Sequence, residues 1–147
     1  KDSIESNMVN IKVTPVIASC DPVASRNELL KLIKFRSIPE IEEFDTSCIT
    51  DMSILFFHVS DFNGDISRWN TTNVTSMTAM FYGAKAFNSD IFRWDTANVV
   101  NMEGMFFDAS SFNHDISGWN VDRVNHSDKF ATGANVNFTT DKQPIFK

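Results

Sequence analysis

The eight residues Phe62–Trp69 read FNGDISRW, and similar octets recur as FNSDIFRW at Phe87–Trp94 and FNHDISGW at Phe112–Trp119. Each octet begins 25 residues after the one before it. A fixed period between about 20 and 50 residues is typical of repeat proteins, in which each repeat buries its apolar face against its neighbours. The octet therefore predicts a stack of 25-residue coils.

The same register continues beyond the octets. Val74 and Met77 recur as Val99 and Met102, for example. A degenerate copy also precedes the first octet, because FDTSCITDMSILFF aligns with WNTTNVTSMTAMFY in the next copy. We therefore expect about four coils, whose Phe, Ile, Trp, Val and Met columns form one continuous core.

Within each copy, the hydrophobic period predicts one strand and one helix. Apolar Ile66 lies between polar Asp65 and Ser67, which is the alternation of a short strand. After a Thr/Asn cluster, the apolar residues follow the spacing of one helix face: Val74, Met77, Met80, Phe81 and Ala84. The predicted fold class is an α/β repeat solenoid with a short strand and a helix in each coil.

A solenoid of this kind needs caps that shield its terminal coils from water. The stretch SRNELLKLIKF predicts a cap helix at residues 25–36, because Ser25 and Glu28 fit an S-x-x-E capping box. The chain then divides into an N-terminal extended segment at 1–23, one repeat domain at 24–136 and a C-terminal tail at 137–147.

The run F-N-x-D-I-S-x-W-[ND]-T-x-x-V-x-x-M-x-x-M-F closely resembles the repeat of the BspA-like leucine-rich-repeat surface proteins. The resemblance covers about residues 24–136 and implies a leucine-rich-repeat-like solenoid. It also implies a secreted or cell-surface protein without enzymatic activity. The small number of repeats and the lack of a visible anchor depart from the family pattern. They leave open a second location, as a peripheral subunit of a membrane or organellar complex.

Composition argues against several functional classes. A net charge of −6 provides no basic stripe to neutralise phosphates, so we expect no nucleic-acid partner. No apolar run reaches the roughly 18–20 residues that span a bilayer, so we expect no transmembrane segment. The sequence shows no nucleophile elbow, phosphate-binding loop, HExxH motif or zinc-ligand spacing. We accordingly expect no catalytic residues, no bound metal and no cofactor.

The predicted strands place two columns of side chains on the outer face of the sheet, and these are the candidate binding residues. One column is acidic and contains Glu40, Asp65, Asp90 and Asp115. The other contains Glu42, Ser67, Phe92 and Ser117. Either the acidic column meets a cation or a basic partner, or each Asp accepts hydrogen bonds in a tight turn, and we favour the turn. Ligand specificity is expected where the copies differ, as at Ser67, Phe92 and Ser117.

Two kinds of covalent modification are open from the sequence. Cys20 and Cys48 lie 28 residues apart, which is compatible with one disulfide and equally with two separate thiols. Four N-x-S/T sequons would accept glycans in a secreted eukaryotic protein: Asn70, Asn73, Asn125 and Asn137.

We therefore expect a non-enzymatic interaction or adhesion module that binds a protein or glycan through an exposed face. The alternative is a small structural or accessory subunit docked permanently in a larger protein complex. That alternative predicts exposed apolar residues that need a partner, and Tyr82, Phe92 and Phe107 are the candidates.

Overall fold

The structure is a computed structural model that describes residues 20–147. Helix α1 spans Pro22–Lys34, helix α2 spans Ile38–Glu42, and a 3-10 turn spans Thr140–Lys142. Between α2 and the 3-10 turn the described chain has turns and isolated parallel bridges, but no strand and no helix. The predicted α/β solenoid, with a strand and a helix in each coil, is therefore wrong.

The repeats stack through a ladder of backbone hydrogen bonds. The amide groups of four alternate residues in the first repeat donate to carbonyls 24 residues ahead, at 2.7–2.9 Å: Met52 to Ser76, Ile54 to Thr78, Phe56 to Met80 and His58 to Tyr82. The next two junctions repeat this set with every residue number raised by 25, and then by 25 again. Three parallel bridges, Asp51–Ser76, Ser76–Asn101 and Asn101–His126, mark the same register.

The segment predicted as a helix, from Val74 to Ala84, is a series of tight turns. Four amides that do not cross between repeats bond three residues back, including Tyr82 to the Ala79 carbonyl and Ala84 to the Phe81 carbonyl. The backbone is left-handed at Ala79 and Gly83, with φ of 50° and 67°, so a continuous helix cannot form. Successive three-residue turns bring every third residue to one side, and that spacing imitates the period of a helix.

The strand predicted around Ile66 is also absent. The Trp69 amide donates to the Ile66 carbonyl at 3.2 Å, so the chain turns directly after the predicted strand. Ile66 is nevertheless fully buried, whereas Asp65 is exposed. The alternation of polar and apolar residues thus predicted correctly that Ile66 points inward, but it predicted the wrong secondary structure.

Columns of aromatic rings run through the interior, and they confirm the predicted core. The rings of Trp69, Trp94 and Trp119 stack with centroids 6.3 Å apart and lie within 8° of parallel. Each indole N–H donates to the carbonyl of an Ile in the preceding repeat, at 2.9–3.2 Å. Each of these carbonyls also accepts an amide hydrogen from its own turn, so the indole gives it a second hydrogen bond between repeats.

A second column, of asparagines, joins the repeats near the surface. Asn63 Oδ1 accepts the Asn88 amide hydrogen at 2.8 Å, and Asn88 Oδ1 accepts the Asn113 amide hydrogen at 3.0 Å. Lys142 Nζ then donates to Asn113 Oδ1 at 2.8 Å. The C-terminal 3-10 turn therefore ends the asparagine column, as a cap should.

Helix α1 begins three residues earlier than the sequence suggested. Asp21 is the N-cap, because its Oδ1 accepts the amide hydrogens of Val23 and Ala24 at 3.0 Å each. The predicted capping box is wrong, since Ser25 is buried inside the helix. The predicted extended segment at 1–23 lies outside the described residues as far as residue 19.

Both ends of the core are covered. At the first end, Leu29 and Ile33 of α1 are buried as part of the same apolar cluster as the repeats. At the other end, Phe130 is buried and contacts the rings of Phe138 and Phe146, with centroids 6.5 Å and 4.9 Å away. The residues after 136 thus form more than a tail, because they close the core.

Gly83→Ala is expected to lower the free energy of unfolding by about 2–3 kcal/mol, from backbone strain plus a steric clash. Gly83 has φ of 67°, and a Cβ there would lie 2.5 Å from His58 Nδ1. Gly118→Ala is the matched control, because nothing lies within 4 Å of its Cβ position, and its effect should stay within about 0.5 kcal/mol. Urea denaturation measures both, and equal effects would contradict the expectation.

Candidate binding surface

Three Asp turns lie in register on one face of the stack, and we call residues 65–68, 90–93 and 115–118 the turn face. In each turn, Asp Oδ1 accepts the amide hydrogen two residues later, at 3.0 Å from Ser67, 3.2 Å from Phe92 and 3.0 Å from Ser117. The Ser67 and Ser117 hydroxyls donate to the same oxygens at 2.6 Å. The carboxylates thus close the turns, while their Oδ2 atoms take no part in these bonds.

Hydrogen bonds within the turns favour the ionised form of two carboxyls. The Ser67 hydroxyl, followed by the Ser67 amide, lowers the pKa of Asp65, and Ser117 lowers the pKa of Asp115 in the same way. A group whose folded pKa is lowered stabilises the fold above its unfolded pKa, about 3.9 for Asp. That contribution is lost as the pH falls through the folded pKa, so the turns should weaken only in acid.

Ser67→Ala is expected to raise the pKa of Asp65 and to leave the pKa of Asp115 in place, because each hydroxyl donates to one carboxylate. NMR titration of the side-chain carboxyl carbons measures both values. Ser117→Ala is the matched variant and should reverse the pattern. If either variant moved both carboxyls equally, the local hydroxyl would not be the cause of the lowered pKa.

The acidic column does not continue to Glu40 in the way that its register suggests. Pro39 favours the start of a helix, and Glu40 lies exposed in the short helix α2 rather than in an Asp turn. Glu42, from the second predicted column, is half-buried instead, and its Oε1 accepts the Asp65 amide hydrogen at 2.8 Å. The turn face therefore contains three repeats, and Glu42 borders it.

Phe92 is the side chain that distinguishes the middle repeat. The ring is 52% exposed, at a position where the neighbouring repeats carry Ser67 and Ser117. The Arg93 guanidinium carbon lies 5.3 Å from the ring centroid, within cation–π range. Because the Phe92 amide keeps the same turn bond to Asp90, phenylalanine changes the surface and not the backbone.

Two shallow depressions flank Phe92. The larger, of about 510 Å³, is lined by Asp90, Phe92, His114, Asp115, Ile116, Ser117 and Gly118. The smaller, of about 260 Å³, is lined by Ser67, Arg68, Asp90, Phe92 and Arg93. Gly118 stands where the other repeats have Arg68 and Arg93, so the missing side chain leaves the larger depression open. The structure thus brings six of the eight candidate binding residues, all but Glu40 and Glu42, to one face.

Sequence reasoning overlooked His114 as part of this face. Its Nε2 lies 2.8 Å from the Asn88 carbonyl oxygen, and its Nδ1 lies 4.0 Å from Asp90 Oδ1. The signal was the variable position just before each Asp, which is Gly64, Ser89 and then His114. Like Phe92, His114 is a copy-specific side chain on an unchanged turn.

A second exposed feature is an aromatic ridge formed by Phe57, His58, Tyr82 and Phe107. Phe57 is 45% exposed, and the Tyr82 and Phe107 rings stack at 4.4 Å and 13°. Phe57 contacts Tyr82 with ring centroids 5.0 Å apart. Because each ring lies against the next, the ridge presents ring edges and few open ring faces to solvent.

The structure joins Cys20 and Cys48 in a disulfide, with Cα atoms 5.3 Å apart. The bond links the residue before the N-cap of α1 to the first repeat. The chain between the two cysteines therefore forms a closed loop that contains both helices.

All four sequon asparagines are exposed: Asn70, Asn73, Asn125 and Asn137. Asn73 Nδ2 donates to the Ser47 carbonyl at 2.8 Å, so a glycan there would replace a bond between repeats. Asn70 Oδ1 accepts the Thr72 amide hydrogen at 3.0 Å, which leaves its nitrogen outside that bond. Glycosylation of these sites stays a prediction.

Within residues 20–147, no group of three or more His, Cys, Asp or Glu side chains is arranged to hold a metal ion. In the same part of the chain, no helix combines the length and apolar character needed to cross a membrane.

Comparison with known proteins gives one match. No curated protein and no solved structure shows significant similarity to this chain. A family profile does match residues 27–143, which include α2 and every Asp turn of the turn face. Because this match covers most of the chain, the protein belongs to the family described as "Mycoplasma protein of unknown function, DUF285".

Proposed function

We propose that this protein is a non-enzymatic recognition module that binds a protein or glycan ligand through the turn face. The observation that carries the proposal is Phe92, an exposed ring between two depressions in the middle of three equivalent turns. Aromatic side chains often dominate the energy of a binding interface. Here the ring appears in one repeat while the supporting turn is kept in all three.

The chemistry around Phe92 suits a ligand with both apolar and polar groups. The Asp carboxylates offer acceptor atoms, and Arg93 lies over the Phe92 ring as a donor. The Arg68 guanidinium is already paired with Glu43 at 2.7 Å, in an exposed ion pair that contributes little stability. A sugar or a peptide segment with hydrogen-bond donors fits this combination.

A secreted or cell-surface location belongs to the same proposal. The repeat resemblance to BspA-like leucine-rich-repeat surface proteins supports such a location. The Cys20–Cys48 disulfide supports it as well, because disulfides persist in oxidising compartments and are rare in the cytosol.

The aromatic ridge favours a second candidate function, that of an accessory subunit docked in a larger complex. Three aromatic rings of consecutive repeats form one strip at the surface, in which Phe57 is exposed and Tyr82 and Phe107 are half-buried. Stacking hides most ring faces, so the ridge suits an apolar protein surface better than the flat face of a sugar. Under this alternative, the partner would cover Phe57, Tyr82 and Phe107.

Two variants separate the candidates, and each inserts a residue that another repeat already carries. Phe92→Ser reproduces Ser67 and Ser117, and Phe107→Thr reproduces Thr132, so neither should disturb the backbone. Wild type and both variants are screened on a glycan array and a displayed peptide library. If the protein is a recognition module, ligands found in the screen should bind Phe92→Ser at least about tenfold more weakly than wild type, a loss of about 1.4 kcal/mol. They should bind Phe107→Thr as tightly as wild type.

The reverse pattern would contradict the recognition module. Native mass of the tagged protein from its own cells gives the second readout. A stable complex that survives Phe92→Ser and dissociates with Phe107→Thr would establish the subunit function instead. Ligand hits that bind all three proteins equally would exclude the turn face as the binding surface.

A further inference from the structure

The backbone ladder between the repeats is polar along the stack. In segments 52–58, 77–83 and 102–108 the earlier repeat supplies amide donors and the later repeat supplies carbonyl acceptors. At each junction an amide also donates in the opposite direction, as from Thr75 to the Thr50 carbonyl. Four residues form each forward donor set, spaced two apart, as with Met102, Gly104, Phe106 and Asp108. The forward ladder therefore presents acceptors at one end and donors at the other.

Half of the acceptor end is covered, because Arg26 reaches two of its four carbonyls. The carbonyls of Asp51 and Ser53 have the register of those that accept at inner junctions, Ser76 and Thr78. Arg26 of helix α1 donates to both carbonyls, from Nε at 3.1 Å and from Nη2 at 2.7 Å. An arginine with several donors is suited to this position, because it can satisfy adjacent acceptors at once.

The donor end is open. Four amides of the last repeat have the register of the inner donor sets: Ser127, Lys129, Ala131 and Gly133. None of them meets a hydrogen-bond acceptor in the described range 20–147, although the neighbouring amides of Phe130, Thr132 and Ala134 bond back within their own turns. We call these four groups the amide edge. The aromatic cap formed by Phe138 and Phe146 closes the core beside it.

The amide edge already has the conformation that it would need for pairing. Lys129 and Gly133 are left-handed, with φ of 57° and 72°, as are Gly104 and Asp108 at the paired junction before them. Lys129 has this conformation although its amide meets no acceptor within residues 20–147. An edge with fixed donors loses little entropy when it pairs, which favours binding.

We propose that the amide edge docks an extended segment of a partner protein, which runs parallel to residues 127–133 and presents a carbonyl oxygen at every second residue. Pairing with an unmatched sheet or ladder edge is a general mode of peptide recognition. A second copy of this chain fits less well, because two donor edges cannot pair and Arg26 already occupies two of the four carbonyls of the acceptor edge.

The three internal junctions also define the sequence of the partner segment. The segments that supply carbonyls are left-handed at two positions four residues apart, as at Ala79 and Gly83. Glycine and asparagine adopt that conformation most readily, and β-branched residues avoid it. Each of the three segments has glycine at one of these positions, and the residues at the other are Ala79, Asp108 and Lys129. The partner segment should therefore carry glycine or asparagine at one or both of two positions spaced four apart.

A synthetic peptide tests the proposal on the full chain. The probe is SMTGMFYG with blocked ends, which copies residues 76–83 with glycine in place of Ala79. Amide hydrogen exchange is followed by NMR. In the free protein, the four amides of the edge should exchange faster than those of Met102, Gly104, Phe106 and Asp108. Peptide at about ten times its Kd should then slow the edge amides about tenfold.

The matched control peptide is SMTVMFYV, in which valine disfavours both left-handed positions. It should leave exchange at the edge unchanged. The proposal is overturned if the edge amides are already protected in the free protein. It is equally overturned if the glycine peptide at up to about 1 mM, the weak end of specific association, slows none of them. Equal protection by both peptides would also overturn it, because the binding would then not depend on pairing of the two backbones.

Discussion

Trp94→Ala is expected to lower the free energy of unfolding by about 3–5 kcal/mol, the usual range for removing a large buried aromatic ring. Trp94 is 4% exposed and stacks between Trp69 and Trp119, with centroids 6.3 Å away on both sides. Its loss would leave a cavity in the middle of the stack, where neighbouring repeats on both sides hold the walls in place. Urea denaturation followed by circular dichroism measures the effect.

Trp94→Phe removes the indole hydrogen bond and keeps an aromatic ring at this position. The indole N–H donates to the Ile66 carbonyl at 3.1 Å, and phenylalanine would remove this bond and part of the ring packing while the Trp69 amide still donates to the same carbonyl. We expect this variant to cost about 1–3 kcal/mol, less than alanine does. A loss below about 1 kcal/mol for Trp94→Ala would contradict the assignment of the column as core.

The degenerate first repeat shows why the hydrogen bond matters. Phe44 takes the place of tryptophan there, and it is half-buried. The indole of each later repeat donates backward, to an Ile in the repeat before it. Within residues 20–147, helix α1 and not another repeat covers this end of the core, so the described chain offers no such carbonyl to Phe44. Phenylalanine can therefore replace tryptophan at this end of the stack.

The 25-residue period predicted the register, the buried columns and the outward direction of Asp65 from the sequence alone. It could not predict the secondary structure, because two different backbones share the same apolar spacing. Residues at i, i+3 and i+6 lie on one side of a helix and also on one side of successive three-residue turns. The backbone bonds decide between them, and here every second amide crosses to the next repeat. The left-handed conformation of Ala79 and Ile54 cannot be predicted from the sequence, because neither residue type favours it.

The candidate site was predictable in part, for a related reason. Positions that vary between copies identified Phe92 and Ser117, and the structure places both beside the larger depression. The same comparison would have found His114, had it been extended to the residue before each Asp. Glu40 was misplaced because its register ignores helix α2, which Pro39 favours. A position inferred from the 25-residue register is wrong where a repeat changes its backbone, and such changes occur at the ends of the stack.

Removing the Cys20–Cys48 disulfide is expected to lower the free energy of unfolding by about 3–4 kcal/mol. The two cysteines are 28 residues apart, and closing a loop of that length restricts the unfolded chain by about this amount. The loop contains α1, whose Leu29 and Ile33 cover the first repeat. Without the bond, packing, the two Arg26 hydrogen bonds and the Arg26–Asp51 ion pair still hold the cap. The variant Cys20→Ser with Cys48→Ser, compared with wild type in urea, measures the effect.

Reductant supplies the control for this variant. A phosphine reductant should lower the stability of wild type to that of the double variant and leave the double variant unchanged. Hydrogen exchange should show where the loss lies, because in a stacked repeat protein each repeat contacts only its neighbours. Amides of α1 and of Met52–His58 should then exchange faster, while the Trp94 amide changes less. A uniform loss of protection would mean that the whole stack unfolds as one unit, and a loss below about 1 kcal/mol would mean that α1 docks without the bond.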